Sequence, residues 1–162
     1  MANLNKFGGR KSQKAQSSLE LLVTLAFGII VLLPIVIIAF IQISASTSNL
    51  AVSEAQASST KLASVAASVG AQGPPAKQLI IVDVPPDVQN IEVGNQNGGI
   101  GHAIIFVVNT NAGPSDVVAY SPVNVSGAMG SASSEGSYLI NVSAQSSCPS
   151  SPQVPCVYIT PS

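Results

Sequence analysis

Only a few side chains in this chain of 162 residues have types and spacings suited to chemistry. The one histidine, His102, has no serine–aspartate pair or cysteine beside it in the sequence, so nucleophilic catalysis is not indicated. Asp83 and Asp87 flank a Pro-Pro turn, but two carboxylates supply too few oxygen ligands for calcium. We therefore predict that the protein is not an enzyme, with no catalytic residue, no metal site and no cofactor.

The two cysteines, Cys148 and Cys156, lie close together in a segment rich in serine and proline. Neither a CxxC motif nor a His/Cys cluster accompanies them, so they do not form a metal-ligand set. Two interpretations remain, a disulfide and a pair of free thiols. We favour the disulfide because the orientation deduced below places this segment in an oxidising compartment outside the cell. A bridge closing a loop of about nine residues would contribute about 2–3 kcal/mol of stability.

The longest apolar run, residues 21–43, contains no charged residue. A helix of this length spans roughly 34 Å, which is enough to cross a bilayer core of about 30 Å. It exceeds the 7–15 apolar residues of a cleaved secretory signal. We predict a single transmembrane helix that the protein retains. Pro34 interrupts the run, which predicts a kink or a short unwound segment at that position. Such a kink fits either a helix that anchors the protein alone or one that packs against neighbouring helices.

Charge is scarce and unevenly distributed. Charged residues make up 8% of the chain, against about 25% in ordinary soluble domains. Four of the six basic residues precede the apolar run, which places the N-terminus in the cytoplasm and the C-terminal part outside. From Gln16 onward two basic residues face seven acidic ones, so nucleic-acid binding is not expected.

The carboxylate of Glu20 lies at the start of the apolar run, where it is costly in contact with lipid. Interaction with the helix N-terminus offsets only about 0.3–1 kcal/mol. Alternatively, cleavage before Gln16 would create a free amine four residues from Glu20 and remove the basic residues. In a bundle of identical helices, that amine could then neutralise Glu20 of a neighbouring subunit.

Gln16, Ser18 and Glu20 form a Q-x-S-x-E motif between a short basic leader and a long apolar helix. This arrangement resembles the class III signal peptide of archaeal type IV pilin-like proteins, with Ala15 where the family usually has glycine and Thr24 where it often has leucine. The resemblance implies cleavage between Ala15 and Gln16 by a prepilin-type peptidase. It also implies assembly of many copies into a surface filament by an ATPase and a membrane platform protein, with a role in adhesion.

Residues 44–70 are rich in alanine and serine, and poor in glycine and proline. Apolar residues recur there at helical spacing, which predicts continuation of the helix; a flexible, glycosylated stalk is the competing interpretation. Gly70 and the Pro-Pro pair that follows are expected to end the helix.

Short β-type runs then alternate with turn residues. The run at 103–108 is apolar on both faces and is expected to be a central strand, whereas the others alternate. The fold class is therefore α+β, with a long N-terminal hydrophobic helix followed by a small antiparallel β-sandwich-like domain. The predicted strands cover residues 78–84, 90–93, 103–109, 117–120, 123–126, 138–143 and 156–160.

Asn124 and Asn141 each begin an Asn-x-Ser sequence suited to N-glycosylation. In both predicted strands the neighbouring apolar residues point to one face, so both asparagines are expected to face solvent.

The predicted organisation is a basic leader (1–15), a membrane and filament-core helix (16–69), a linker (70–77) and an extracellular β domain (78–162). Two functions fit this organisation. One is a pilin-like precursor that polymerises through its N-terminal helix. The other is a singly anchored adhesin or envelope protein that does not polymerise.

Overall fold

The computed structural model describes the backbone of residues 9–95 and 99–162, and the side chains of residues 18–95 and 99–162. It divides into two compact units, Met1–Ser44 and Ala45–Ser162, and we call the second of these the outer unit. The predicted leader is therefore described only in part, and its side chains lie outside the described residues.

One helix, α1, runs over Gly9–Gln72. The helical interpretation of the alanine- and serine-rich segment 44–70 is thus confirmed, and the flexible stalk is not seen. The helix continues through Pro34 without an unwound segment, whereas a bend there stays a prediction.

The expected helix end at Gly70 is wrong by three residues. Gly73 has a φ of 70°, a left-handed conformation that glycine adopts without steric cost. Its N–H donates to the carbonyls of Val69 and Gly70, both at 3.2 Å, and this cap ends the helix. Gly70 instead permits close packing, because a Cβ there would lie 2.9 Å from both methyl groups of Val123.

Six strands and one 3₁₀ turn follow the helix. The strands form one sheet in the order β1-β5-β6-β4-β3-β2. All neighbouring pairs are antiparallel except β4 and β6, which run parallel. Their bounds are β1 Lys77–Val84, β2 Val88–Gly94, β3 Gly101–Thr110, β4 Gly113–Gly127, β5 Gly136–Gln145 and β6 Cys156–Pro161, with the 3₁₀ turn η1 at Gly130–Ala132.

The α+β class, a long apolar helix followed by a mostly antiparallel sheet, is confirmed. The described strands belong to a single sheet, so the second layer of the outer unit is not a second sheet. Residues of the helix between Ala51 and Val69 share one buried core with the sheet and supply that layer. As expected, the apolar run at 103–108 lies in an interior strand, β3.

The predicted strands 117–120 and 123–126 are parts of the single strand β4. Proline cannot donate a ladder hydrogen bond, so a strand accommodates it only where no donor is required. In the structure, Tyr120 pairs with Ala103 and Val125 with Gly101, so four residues of β4 bulge opposite His102 alone. Pro122 lies in this bulge, where no ladder donor is required.

The core of the outer unit combines small helix residues with large sheet residues. Ala55 and Ala66 are fully buried on the helix, and their short side chains let it approach the sheet closely. Leu62 from the helix and Phe106 from β3 are also fully buried. Burying each of these two stabilises the fold by about 1.5–3 kcal/mol.

Candidate functional site

The surface of α1 between Leu19 and Ile43 is apolar and exposed. All eighteen large hydrophobic side chains in this stretch are between 49% and 72% exposed. Burying one such side chain fully is worth about 1.5–3 kcal/mol, so leaving them all in water would cost roughly tens of kcal/mol. This surface therefore requires lipid or protein around it. Its members are Leu19, Leu21, Leu22, Val23, Leu25, Phe27, Ile29, Ile30, Val31, Leu32, Leu33, Ile35, Val36, Ile37, Ile38, Phe40, Ile41 and Ile43.

The apolar surface extends around the whole helix rather than along one stripe. A helix of this kind is buried in a large core or crosses a membrane, whereas a helix on the surface of a soluble domain has a polar face. No charged residue occurs between Glu20 and Glu54. Among the described residues, this helix alone is long and apolar enough to cross a bilayer, which fits single-pass anchoring.

Glu20 is exposed at the N-terminal border of this surface. One turn later, the Thr24 hydroxyl donates to the carbonyls of Glu20 at 2.9 Å and Leu21 at 3.0 Å. A hydroxyl bonded to its own helix can enter an apolar environment without an unpaired donor. Glu20 is the only charged residue between Ser18 and Ser44. In an apolar environment its carboxylate would need a partner from outside the helix.

The predicted processing residues lie in the first turns of α1. The backbones of Ala15 and Gln16 are helical, and their side chains lie outside the described residues. Ser18 and Glu20 are exposed. Cleavage stays a prediction.

The disulfide between Cys148 and Cys156 is confirmed. Both cysteines are buried, and they close the connection between β5 and β6. Inside this loop the Cys148 N–H donates to the Val154 carbonyl at 3.0 Å, and the Ser151 N–H donates to the Cys148 carbonyl at 3.0 Å. Bridges of this kind form and persist in oxidising compartments.

Both asparagines of the two sequons are partly buried rather than fully exposed. Asn124 lies in the β4 bulge and lines a cavity, whereas Asn141 lies on the outward face of β5 beside Leu79 of β1. Glycosylation at either position stays a prediction.

The cavity beside Asn124 has a volume of about 290 Å³, and its polar lining includes His102 and Gln145. The His102 Nδ1 lies 3.1 Å from the Ser121 carbonyl oxygen, to which only a protonated Nδ1 can donate. No carboxylate lines this cavity, so the histidine has no acid–base partner. Within residues 18–95 and 99–162, no three His, Cys, Asp or Glu side chains form a group that could hold a metal.

No protein family model matches this chain, and no curated protein or solved structure is significantly similar to it. The fold and the exposed helix therefore carry the functional conclusions.

Sequence reasoning identified the apolar surface, Glu20 and the disulfide from residue types alone. It missed the contribution of Thr24, whose back-bonding follows from its position four residues after Glu20 in a helix. It also missed the cavity at the bulge, because the pairing of β3 with β4 leaves no local sequence signal.

Proposed function

We propose that the chain is a pilin-like precursor, cut before Gln16, whose N-terminal helix polymerises with other copies into a cell-surface filament used for adhesion. Before assembly, that helix lies in the membrane with the N-terminus in the cytoplasm and the outer unit outside. A prepilin-type peptidase, an assembly ATPase and a platform protein are the partners that this function requires.

The observation that supports this proposal best is the exposed apolar surface of α1 with Glu20 at its border. A bundle of such helices would bury the surface after it leaves lipid. Removing the basic leader would make that departure less costly, because four positive charges favour the cytoplasmic side. The new amine of Gln16 could then pair with Glu20 of a neighbouring subunit.

A singly anchored adhesin or envelope protein is the second candidate. The length and composition of α1 favour it equally, because one helix of this kind suffices for anchoring. It differs in one respect, since it requires neither cleavage nor charge pairing at Glu20.

The test compares filaments from cells expressing the wild-type chain and the Glu20→Gln variant together with the assembly machinery. We expect Glu20→Gln to be cleaved normally but to yield at least about tenfold fewer filaments, because the buried amine loses its charged partner. Electron microscopy counts the filaments, and intact-mass analysis of the purified subunit reports cleavage.

The Glu54→Gln variant is the matched control, because Glu54 is also exposed on α1 but lies within the outer unit. We expect it to assemble normally. Normal filaments from Glu20→Gln, or a wild-type subunit starting with pyroglutamate at position 16, would contradict the charge pairing. Wild-type surface protein that consists only of separate chains retaining Met1 would contradict polymerisation and favour the single anchor.

A further inference from the structure

The outward face of strand β1 carries a short pattern of charged and apolar side chains. Lys77, Leu79, Ile81 and Asp83 are exposed, and the residues between the last three are buried or half-buried, so all four point away from the core. Leu79 is 59% exposed and Ile81 is 57% exposed. Leu139 of β5 pairs directly with Ile81 and is 46% exposed, which extends the apolar surface to a second strand. We call these five residues the β1 face.

The edge of β1 is less accessible than its face. β1 is the first strand of the sheet, so one side of its backbone has no neighbouring strand. The Lys61 Nζ donates to the Ile81 carbonyl at 2.7 Å, and the Ser58 hydroxyl donates to the Asp83 carbonyl at 2.5 Å. These two helix side chains occupy acceptors that an added strand would need. A partner is therefore expected to approach the face and not the edge.

The pattern on the β1 face is self-complementary. Its order is positive, apolar, apolar, negative at every second residue, and reversing the strand gives the opposite order of charges. If two copies meet face to face with their β1 strands antiparallel, Lys77 of each lies opposite Asp83 of the other. Leu79 then lies opposite Ile81. Contacts of this type, in which both subunits use one patch, are characteristic of two-fold symmetric association.

We propose that the β1 face binds the β1 face of a second copy of this chain around a two-fold axis near Ile80. Two apolar pairs would bury the exposed side chains, and two Lys77–Asp83 pairs would fix the antiparallel orientation. The proposal does not depend on filament formation, because the five residues belong to the outer unit. Polymerisation would only multiply the number of contacts between two assemblies.

The contact is expected to be weak. Five side chains per copy form less than the roughly 800 Å² per partner of a standard interface, so dissociation constants of about 10 µM to 1 mM are expected for single chains. The charged pairs are exposed, so the association should weaken as salt is raised.

A glycan on Asn141 is the main competing occupant. Asn141 lies on the outward face beside Leu79, so a sugar chain there would cover the β1 face and exclude a second copy. Mass analysis of protein from native cells decides between the two. The contact between two β1 faces requires an unmodified Asn141, and full modification would overturn the proposal.

The binding test uses the full chain in excess detergent, so that each micelle holds at most one apolar helix, and sedimentation measures association over a concentration series. We expect Lys77→Glu and Asp83→Lys each to weaken self-association by about tenfold or more, because each change converts two attractive pairs into two repulsive ones.

Mixing the two charge variants should restore association. The glutamate introduced at position 77 of one chain then meets the lysine introduced at position 83 of the other, and the unchanged Asp83 of the first chain meets the unchanged Lys77 of the second. Both pairs are attractive again. The double variant Leu79→Ser, Ile81→Ser should not associate, either alone or mixed with one of the charge variants, because the apolar pairs are lost.

Two controls distinguish loss of this contact from loss of structure and from nonspecific hydrophobic association. Ser137→Ala removes the hydroxyl that donates to the Asp83 carboxylate at 2.5 Å but leaves the charge, and it should associate as wild type does. Tyr120→Ser removes another exposed apolar residue, 78% exposed on β4, and should also have no effect.

Three results would overturn the proposal. The first is the absence of wild-type association up to about 1 mM. The second is unchanged self-association of the two charge variants, and the third is a mixture that associates no better than either variant alone. The third result would be expected if the β1 face inserts into detergent or lipid instead of binding a second copy. Insertion does not depend on pairing of opposite charges, so mixing the two charge variants would change nothing.

Discussion

Individual residues in α1 show how a polar group is accommodated in an apolar segment. Thr24 directs its hydroxyl to the carbonyls of Glu20 and Leu21 and leaves only its methyl and methine groups for its surroundings. Glu20 has no such option, since a carboxylate needs a donor or a cation. Glu20, and not Thr24, is therefore the residue of this segment whose burial would require a partner.

Gly70 provides a test of close packing between the helix and β4. In Gly70→Ala the new Cβ would lie 2.9 Å from both methyl groups of the half-buried, β-branched Val123. We expect the free energy of unfolding to fall by about 1–2 kcal/mol, because the overpacking exceeds the gain of about 1 kcal/mol in helix propensity. Chemical denaturation of the full chain in detergent measures the change.

Gly130→Ala is the matched control for this position. A Cβ at Gly130 would have no neighbour within 4 Å, so its stability should change by less than about 0.5 kcal/mol. The double variant Gly70→Ala, Val123→Ala should recover part of the loss. A Gly70→Ala protein as stable as wild type would show that the helix and β4 separate readily.

Glycine and proline illustrate the limit of residue-level prediction in this chain. The sequence marks a helix end near 70–77, but the choice between Gly70 and Gly73 depends on which glycine must adopt a positive φ and which must avoid Val123. Pro122 marks a break in a ladder, yet the strand continues because β4 bulges there opposite His102 and resumes its pairing with β3 at Val125. Both outcomes depend on contacts with residues that are distant in sequence.

At the scale of elements, prediction was most successful where periodicity is strong. The uncharged run and the alanine-rich segment that follows indicated one helix, and the short alternating runs indicated strands. The number of sheets could not be deduced in the same way. Alternation of polar and apolar residues indicates that one face of a strand is buried, but it does not indicate whether a sheet or a helix covers that face.

The disulfide is the element-scale feature with the most direct test. Replacing both Cys148 and Cys156 by alanine should lower the free energy of unfolding by about 2–3 kcal/mol, because the unfolded chain regains the freedom of an open loop. Urea titration of the full chain in detergent measures this value. Wild-type protein with and without a reducing agent provides the control, and both comparisons should give similar differences.

A loss of less than about 0.5 kcal/mol would contradict this expectation. It would mean that the hydrogen bonds within the loop already restrict residues 148–156 in the unfolded chain, or that the β5–β6 pairing does not depend on the bridge.

At the scale of the whole molecule, the distribution of charge is expected to set the orientation in the membrane. Replacing Lys6, Arg10, Lys11 and Lys14 by glutamine should reduce the fraction of chains with an external C-terminus severalfold, because basic residues are retained on the cytoplasmic side. A C-terminal epitope tag, probed on intact cells with a protease that cannot cross the membrane, reports the orientation.

The double variant Lys61→Gln, Lys77→Gln is the control for total charge, since it removes basic residues that follow the apolar run. Its orientation should equal that of wild type. An unchanged orientation in the fourfold variant would indicate that folding of the outer unit, and not the leader, decides which end crosses the membrane.

The shared core of α1 and the sheet determines where the chain could be severed without unfolding it. Helix residues from Ala51 to Val69 contribute to the interior that Phe106 and Ile140 complete. A cut just before Ala45 would release a unit whose interior is complete. A cut after Val69 would remove one wall of that interior, so an intact folded unit can be released only by a cut before Ala51.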